Sequence, residues 1–184
     1  MTLTVVRLAD CAEVPWRNGG GVTRELWRRP AEGEFDARLS VANVASDGPF
    51  SEFPGVDRIL VLLQGDGMSL RFTDDATTVE LSAPLDHLRF AGERPVEATL
   101  RRGPTLDLNL MWRRTSGSAS SAVVSSVEAS RAAGPGELVL LVVGAGSATL
   151  PSGEVLAVGD TVIVDDGAVP AIAGDASIIR FVLT

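Results

Sequence analysis

Apolar residues along this chain fall into short, recurring runs closed by glycine, proline or aspartate. Leu3–Leu8, Val22–Arg28, Arg38–Val44, Arg58–Leu63, Met68–Phe72, Thr77–Leu81, Val96–Arg101 and Leu106–Arg113 are such runs. Ala122–Glu128, Glu137–Val143, Ser147–Leu150, Thr161–Val164 and Ser177–Leu183 continue the series. Most are rich in Val, Leu or Thr, which suit a pleated, half-buried surface. No window of helical length keeps its apolar residues at a 3.6-residue repeat. The series predicts an all-β chain closed as a sandwich or barrel.

The clearest alternation is Leu106–Arg113. Leu106, Leu108, Leu110 and Trp112 lie on one face of that strand, and Asp107, Asn109, Met111 and Arg113 on the other. The leucine face packs on a core. A half-polar barrel lumen explains Asp, Asn and Met together, and a plain surface strand with one methionine is the other reading. In Val22–Arg28, Val22, Arg24 and Leu26 share one face while Thr23, Glu25 and Trp27 share the other. Either Arg24 or Glu25 therefore points inward, or the strand is an edge.

The series also repeats. Leu60–Gly67 and Val139–Gly146 each run an apolar strand into a Gly-x-Gly turn, followed by a second short strand. A strand, not a helix, follows each turn, so these are hairpin turns rather than phosphate loops. The repeat predicts two small β-barrels or jelly rolls, residues 1–115 and 116–184, joined at the Ser-rich stretch Thr115–Ser121.

Composition narrows the chemistry. The 184 residues are 45% hydrophobic with a net charge of −8, so a packed core is expected and nucleic acid or an anionic membrane is a poor partner. All sixteen basic residues are arginine, which excludes lysine Schiff-base chemistry and a Walker-type loop. One cysteine, Cys11, forbids an internal disulfide, and one histidine, His87, cannot build a His-rich metal site, so no metal or cofactor is expected. The N-terminus has no signal-peptide pattern, and the longest apolar run, Leu138–Leu150, is too short to span a bilayer. A cytoplasmic protein is expected.

Candidate chemistry concentrates in two runs, Pro15–Glu25 and Asp47–Arg58. Three successive glycines, Gly19 to Gly21, beside Trp16, Arg17 and Asn18 are poor core material. They serve a sharp turn or a close backbone approach. Arg58 opens an apolar strand and offers a planar fork to a carboxylate, or else it pairs with an acid such as Asp57. Arg101, Arg102, Arg113 and Arg114 form a basic rim or a solvated face.

Together the runs Pro15–Glu25 (PWRNGGGVTRE), Arg38–Val44 with Asp47–Arg58 (RLSVANV, DGPFSEFPGVDR) and Gly103–Arg114 (GPTLDLNLMWRR) resemble the HutD/Ves family of bacterial proteins associated with histidine utilisation. The resemblance covers residues 3 to 114 well and the rest in outline. It implies a bicupin fold without the usual cupin metal triad. It also implies a ligand-binding role that restrains histidine breakdown by holding an intermediate such as urocanate or a formylated glutamate.

The expectation is therefore a metal-free binding protein whose first barrel holds a small anionic metabolite. Arg24 and Arg58 would meet its carboxylate. Arg17, Asn18, Asp107, Asn109 and the amides of Gly19, Gly20 and Gly21 would give directional contacts, and Trp16 and Met111 apolar ones. The alternative is a metal-independent isomerase or hydrolase with Asp107 or Glu25 as base and His87 as acid. A pure interaction protein is a third reading, and a homodimer is left open.

Overall fold

The fold is described from a computed structural model over residues 2–165 and 168–184. Its strands are Thr2–Val6 (β1), Glu13–Pro15 (β2), Gly21–Arg29 (β3), Ala37–Val44 (β4), Gly48–Pro49 (β5), Val56–Gln64 (β6), Met68–Phe72 (β7), Thr78–Leu81 (β8) and His87–Ala91 (β9). Val96–Leu100 (β10), Thr105–Arg113 (β11), Ala119–Ser125 (β12), Leu138–Ala145 (β13), Ala148–Thr149 (β14), Val155–Leu156 (β15), Thr161–Asp165 (β16), Ala173–Gly174 (β17) and Ser177–Leu183 (β18) follow. The chain is all-β, as its alternation predicts. The strand expected over 122–128 stops at Ser125, whose hydroxyl and Glu128 form a reciprocal capping box that opens the four-residue helix Ser126–Ala129 (α1). No helix among the described residues is long and apolar enough to cross a membrane.

The strands form two units. One is Ala12–Ser116, where a six-stranded sheet in the order β2-β3-β4-β11-β6-β9 lies over a four-stranded sheet in the order β5-β10-β7-β8. Ala42, Leu60 and Leu62 from the first sheet pack with Met68, Leu70, Val96 and Ala98 from the second. The other unit is Met1–Cys11 with Gly117–Thr184, where β1-β16-β13-β18-β12 is covered by β15-β14-β17. Val139, Leu141, Val143, Val162 and Ile178 pack there with Ala148, Leu150 and Leu156.

The break expected at 115/116 falls at 116/117, but the amino-terminal strand does not belong to the expected first unit 1–115. β1 pairs along β16 from Thr2↔Asp165 to Val6↔Thr161, so residues up to Cys11 belong with the second unit, not the first. Asp160 fixes the segment: it accepts from the Leu8 amide at 2.9 Å and from the Arg7 guanidinium at 2.7 Å.

The duplication is visible in the sheet orders. β4-β11-β6-β9 in the first unit corresponds to β12-β18-β13-β16 in the second, and β10-β7-β8 to β17-β14-β15. Each wide sheet has an irregularity at the corresponding place, next to Asp107 in the β11–β6 pair and next to Ala145 in the β13–β18 pair. This is a bicupin.

Candidate functional site

A cavity of about 860 Å³ opens on the inner face of the six-stranded sheet. Register decides its wall. Asn109 stands between Ser40 of β4 and Leu60 of β6, and Met111 between Arg38 and Arg58. All six line the cavity, together with Thr23 and Glu25 of β3 and Asp107 of β11. The segment Val14–Asn18 and the loop Pro49–Ser51, with Phe53, line it as well.

Arg58 is 6% exposed. Its Nη2 donates to Asn109 Oδ1 at 2.8 Å and its Nη1 to the Ser51 carbonyl at 3.4 Å, while Nε is buried without a hydrogen-bond partner. The rings of Phe50, Phe53 and Phe90 surround the guanidinium with centroids at 5.5, 5.7 and 5.0 Å. Among the described residues it has no ion-pair partner. Asp57, its neighbour in sequence, pairs instead with Arg89 and Arg114. Burial, with Arg38 adding a like charge, brings the Arg58 guanidinium down to about 10, still protonated at neutral pH. Aromatic faces and two hydrogen bonds offset only part of the desolvation of a cation held this way.

Asp107 has no exposed surface. Thr105 Oγ1 donates to its Oδ2 at 2.8 Å, and its Oδ1 has no partner. Burial pushes the carboxyl up to about 7, against the pull of the Thr105 hydrogen bond. Asn109 Oδ1 is taken by Arg58, which leaves the Asn109 amide N–H groups as donors on the cavity wall. Arg38 is neutralised by Glu25 at 2.7 Å.

The other sequence candidates fall as follows. Trp16, Arg17 and Asn18 line the cavity, and Trp16 Nε1 donates to Thr23 Oγ1 at 2.7 Å. Arg24 does not join them. It opposes Val41 on the outer face of the sheet and pairs with Glu13. Thr23 and Glu25 take the inward positions, and the shift in register after Glu25 leaves Leu26 unpaired and sets Trp27 opposite Leu39, so the expected grouping of Glu25 with Trp27 fails. The glycine run is a hairpin turn. Gly19 donates to the Trp16 carbonyl and Gly20 to Asn18 Oδ1, so those two amides are engaged within the chain, and none of the three glycines lines the large cavity.

His87 opposes Val61, which belongs to the outer face, whereas Asp107 opposes Leu62 of the inner face. The acid and base of the enzyme reading are therefore on opposite sides of one sheet. Three of the four arginines of the expected basic rim are ion-paired: Arg101 meets Glu80, Arg113 meets Glu34, and Arg114 meets Asp57 and Glu93. Sequence reasoning missed Arg38, Ser40, Thr23 and the phenylalanines around Arg58. Phe50 and Phe53 stood inside the run Asp47–Arg58 that it had singled out.

The second unit has lost this wall. Matching the two wide sheets strand for strand through their irregularities shifts the repeat by two residues from the sequence alignment of Leu60 with Val139, and sets Val139 where the first unit has Arg58, Ile178 where it has Asp107 and Arg180 where it has Asn109. Among the described residues no group of three or more His, Cys, Asp or Glu side chains is placed to hold a metal ion.

Comparison with known proteins gives a consistent relationship. A family model described as HutD matches residues 8–179. An uncharacterised 21.2 kDa protein in the hutC 3' region of Pseudomonas putida is 40% identical over 112 residues, 60% of this chain and 58% of that one. The protein Ves of Citrobacter koseri is 43% identical over 102 residues, 54% of this chain and 52% of that one. The match thus spans little more than half the length of these curated relatives. The solved structure of HutD from Pseudomonas fluorescens SBW25 superposes over 100% of both chains with a TM-score of 0.84 at 30% identity.

Proposed function

This chain belongs to the HutD family, and we propose that it acts as a small-molecule binding protein whose first barrel holds a carboxylate metabolite. The observation that carries the reading is Arg58: a buried, protonated guanidinium with no anionic partner among the described residues, on the wall of a cavity of about 860 Å³. A carboxylate entering there finds the charge and donors that the protein leaves uncompensated, since Asn109 offers its amide beside the guanidinium. Met111, Trp16 and the phenylalanine rings supply apolar contact. The relative in the hutC region favours a metabolite of histidine breakdown, so urocanate and N-formylglutamate are the ligands to try first.

Calorimetric titration of both compounds into wild type and Arg58→Ala tests the reading. One charge-assisted pair contributes about 1.5–3 kcal/mol, so the variant should bind at least about tenfold more weakly. Equal affinity in the two proteins would remove Arg58 from the site.

A further inference from the structure

We propose that Asp107 reads a nitrogen of the ligand: the molecule held by its carboxylate at Arg58 carries an ammonium or N–H group, about one strand repeat away, that donates to Asp107. The inference rests on the carboxylate reading above and adds a second functional group to it.

Placement comes first. Arg58 Nη2 lies 2.8 Å from Asn109 Oδ1, which sets the guanidinium over Asn109. Asp107 is two residues along the same strand and on the same face, a step of about 6.5–7 Å. The two groups do not pair with each other, and each has a buried polar atom, Arg58 Nε and Asp107 Oδ1, without a partner. A cavity wall with a positive and a negative pole, both uncompensated, matches a ligand with the opposite polarity.

Among the described residues no cation pairs with Asp107, whose carboxyl is perturbed only by burial and the Thr105 hydrogen bond. On β4 and β3 the charged groups of the wall are Arg38 and Glu25, which satisfy each other. Arg17 lies in the turn after β2. The facing sheet presents Met68, Leu70 and Ala98, all apolar. A purely anionic ligand would therefore meet the Asp107 charge unscreened, which selects against it.

This arrangement gives two ligand classes opposite pH responses. Burial holds the Asp107 carboxyl near 7, so it ionises between pH 6 and 8. Ionisation attracts an ammonium and repels a plain carboxylate. Affinity for an aminocarboxylate should rise from pH 6 to pH 8, and affinity for the matching carboxylate without nitrogen should fall.

The probes are 5-aminopentanoate and pentanoate, titrated calorimetrically into wild type, Asp107→Asn and Arg58→Ala at pH 6 and 8. Wild type at pH 8 should bind 5-aminopentanoate about tenfold or more tightly than pentanoate. Asp107→Asn should bring that ratio close to one, with pentanoate, relieved of the facing charge, binding the variant more tightly than wild type. A wild-type ratio of one with Arg58-dependent pentanoate binding sinks the nitrogen contact and leaves the carboxylate reading standing. A ratio that survives Asp107→Asn sinks it too. Failure of both compounds to bind, or binding indifferent to Arg58→Ala, takes down both readings.

Discussion

Asp107 is held by a single hydrogen bond, from Thr105, with water excluded and one oxygen unpartnered. A carboxyl in that state resists ionisation, and the resistance is a statement about folding. Its folded value, near 7, lies above the ordinary carboxylate range. The native state therefore holds the proton over a pH window in which the unfolded chain has released it. The stabilisation is complete below about pH 4 and is lost as pH rises to about 7. An amide at position 107 has no proton to lose. The stability of Asp107→Asn relative to wild type should therefore climb between pH 4 and 7.5, by an amount on the order of 2–4 kcal/mol, and then level off. Denaturant melts of both proteins across that range measure the difference, in which the other carboxylates cancel. A difference that stays flat with pH would mean that Asp107 ionises normally and that its surroundings are wetter than they look.

The β2–β3 hairpin and its glycines serve geometry. Gly21 faces Val44 of β4, and a Cβ there would overlap the Asn43 carbonyl oxygen, a backbone atom that cannot move without parting the strands. Gly19 has φ +73 with open space around its missing Cβ. Gly19→Ala should therefore cost only the backbone strain of a left-handed alanine, about 1 kcal/mol. Gly21→Ala should cost clearly more, about 2–3 kcal/mol, and should loosen β3, which carries Thr23 and Glu25 to the cavity. Thermal unfolding of the two variants separates the cases, and equal losses would mean that β3 and β4 give way more easily than their register implies. Strands of this kind are only partly legible in a sequence. The wall of β11 could be read because Leu106–Arg113 alternates without a break and its apolar face must be buried. The choice between Arg24 and Glu25 could not, because it depends on which face of β3 meets Ser40 of β4. Strand β9 went unread: His87–Ala91 mixes polar and apolar residues and takes its place only by pairing with β6. Phe50 and Phe53 reach Arg58 through a loop whose return path no local rule specifies.

Duplication followed by divergence organises the whole chain. Both units keep the same strand order and an irregularity in the same strand pair, but the matched positions differ in chemistry: Val139 and Ile178 replace Arg58 and Asp107 in the second unit, and Arg180 replaces Asn109. A repeat reads well as a pair of apolar strands with turns, which is why the two copies were visible in the sequence. The destination of the first eleven residues was not, since an apolar run such as Leu3–Val6 fits either sheet. What settles it is Asp160, which is 5% exposed and accepts from the Leu8 amide at 2.9 Å, the Ala157 amide at 3.0 Å and the Arg7 guanidinium at 2.7 Å. Alanine at 160 would leave the Leu8 and Ala157 amides without their acceptor, while Arg7 keeps Glu154 and the Val155 carbonyl, at a cost of about 2–4 kcal/mol. The loss should be local to the amino-terminal strand before it is global. With its tether gone, β1 should fray from β16, and the β16 amides that face β1 should exchange with solvent faster than those that face β13. Hydrogen exchange of Asp160→Ala, read at Thr161–Asp165, gives the answer. Uniform protection on both sides of β16 would show that strand pairing alone holds β1 in the second unit and that Asp160 is not its anchor.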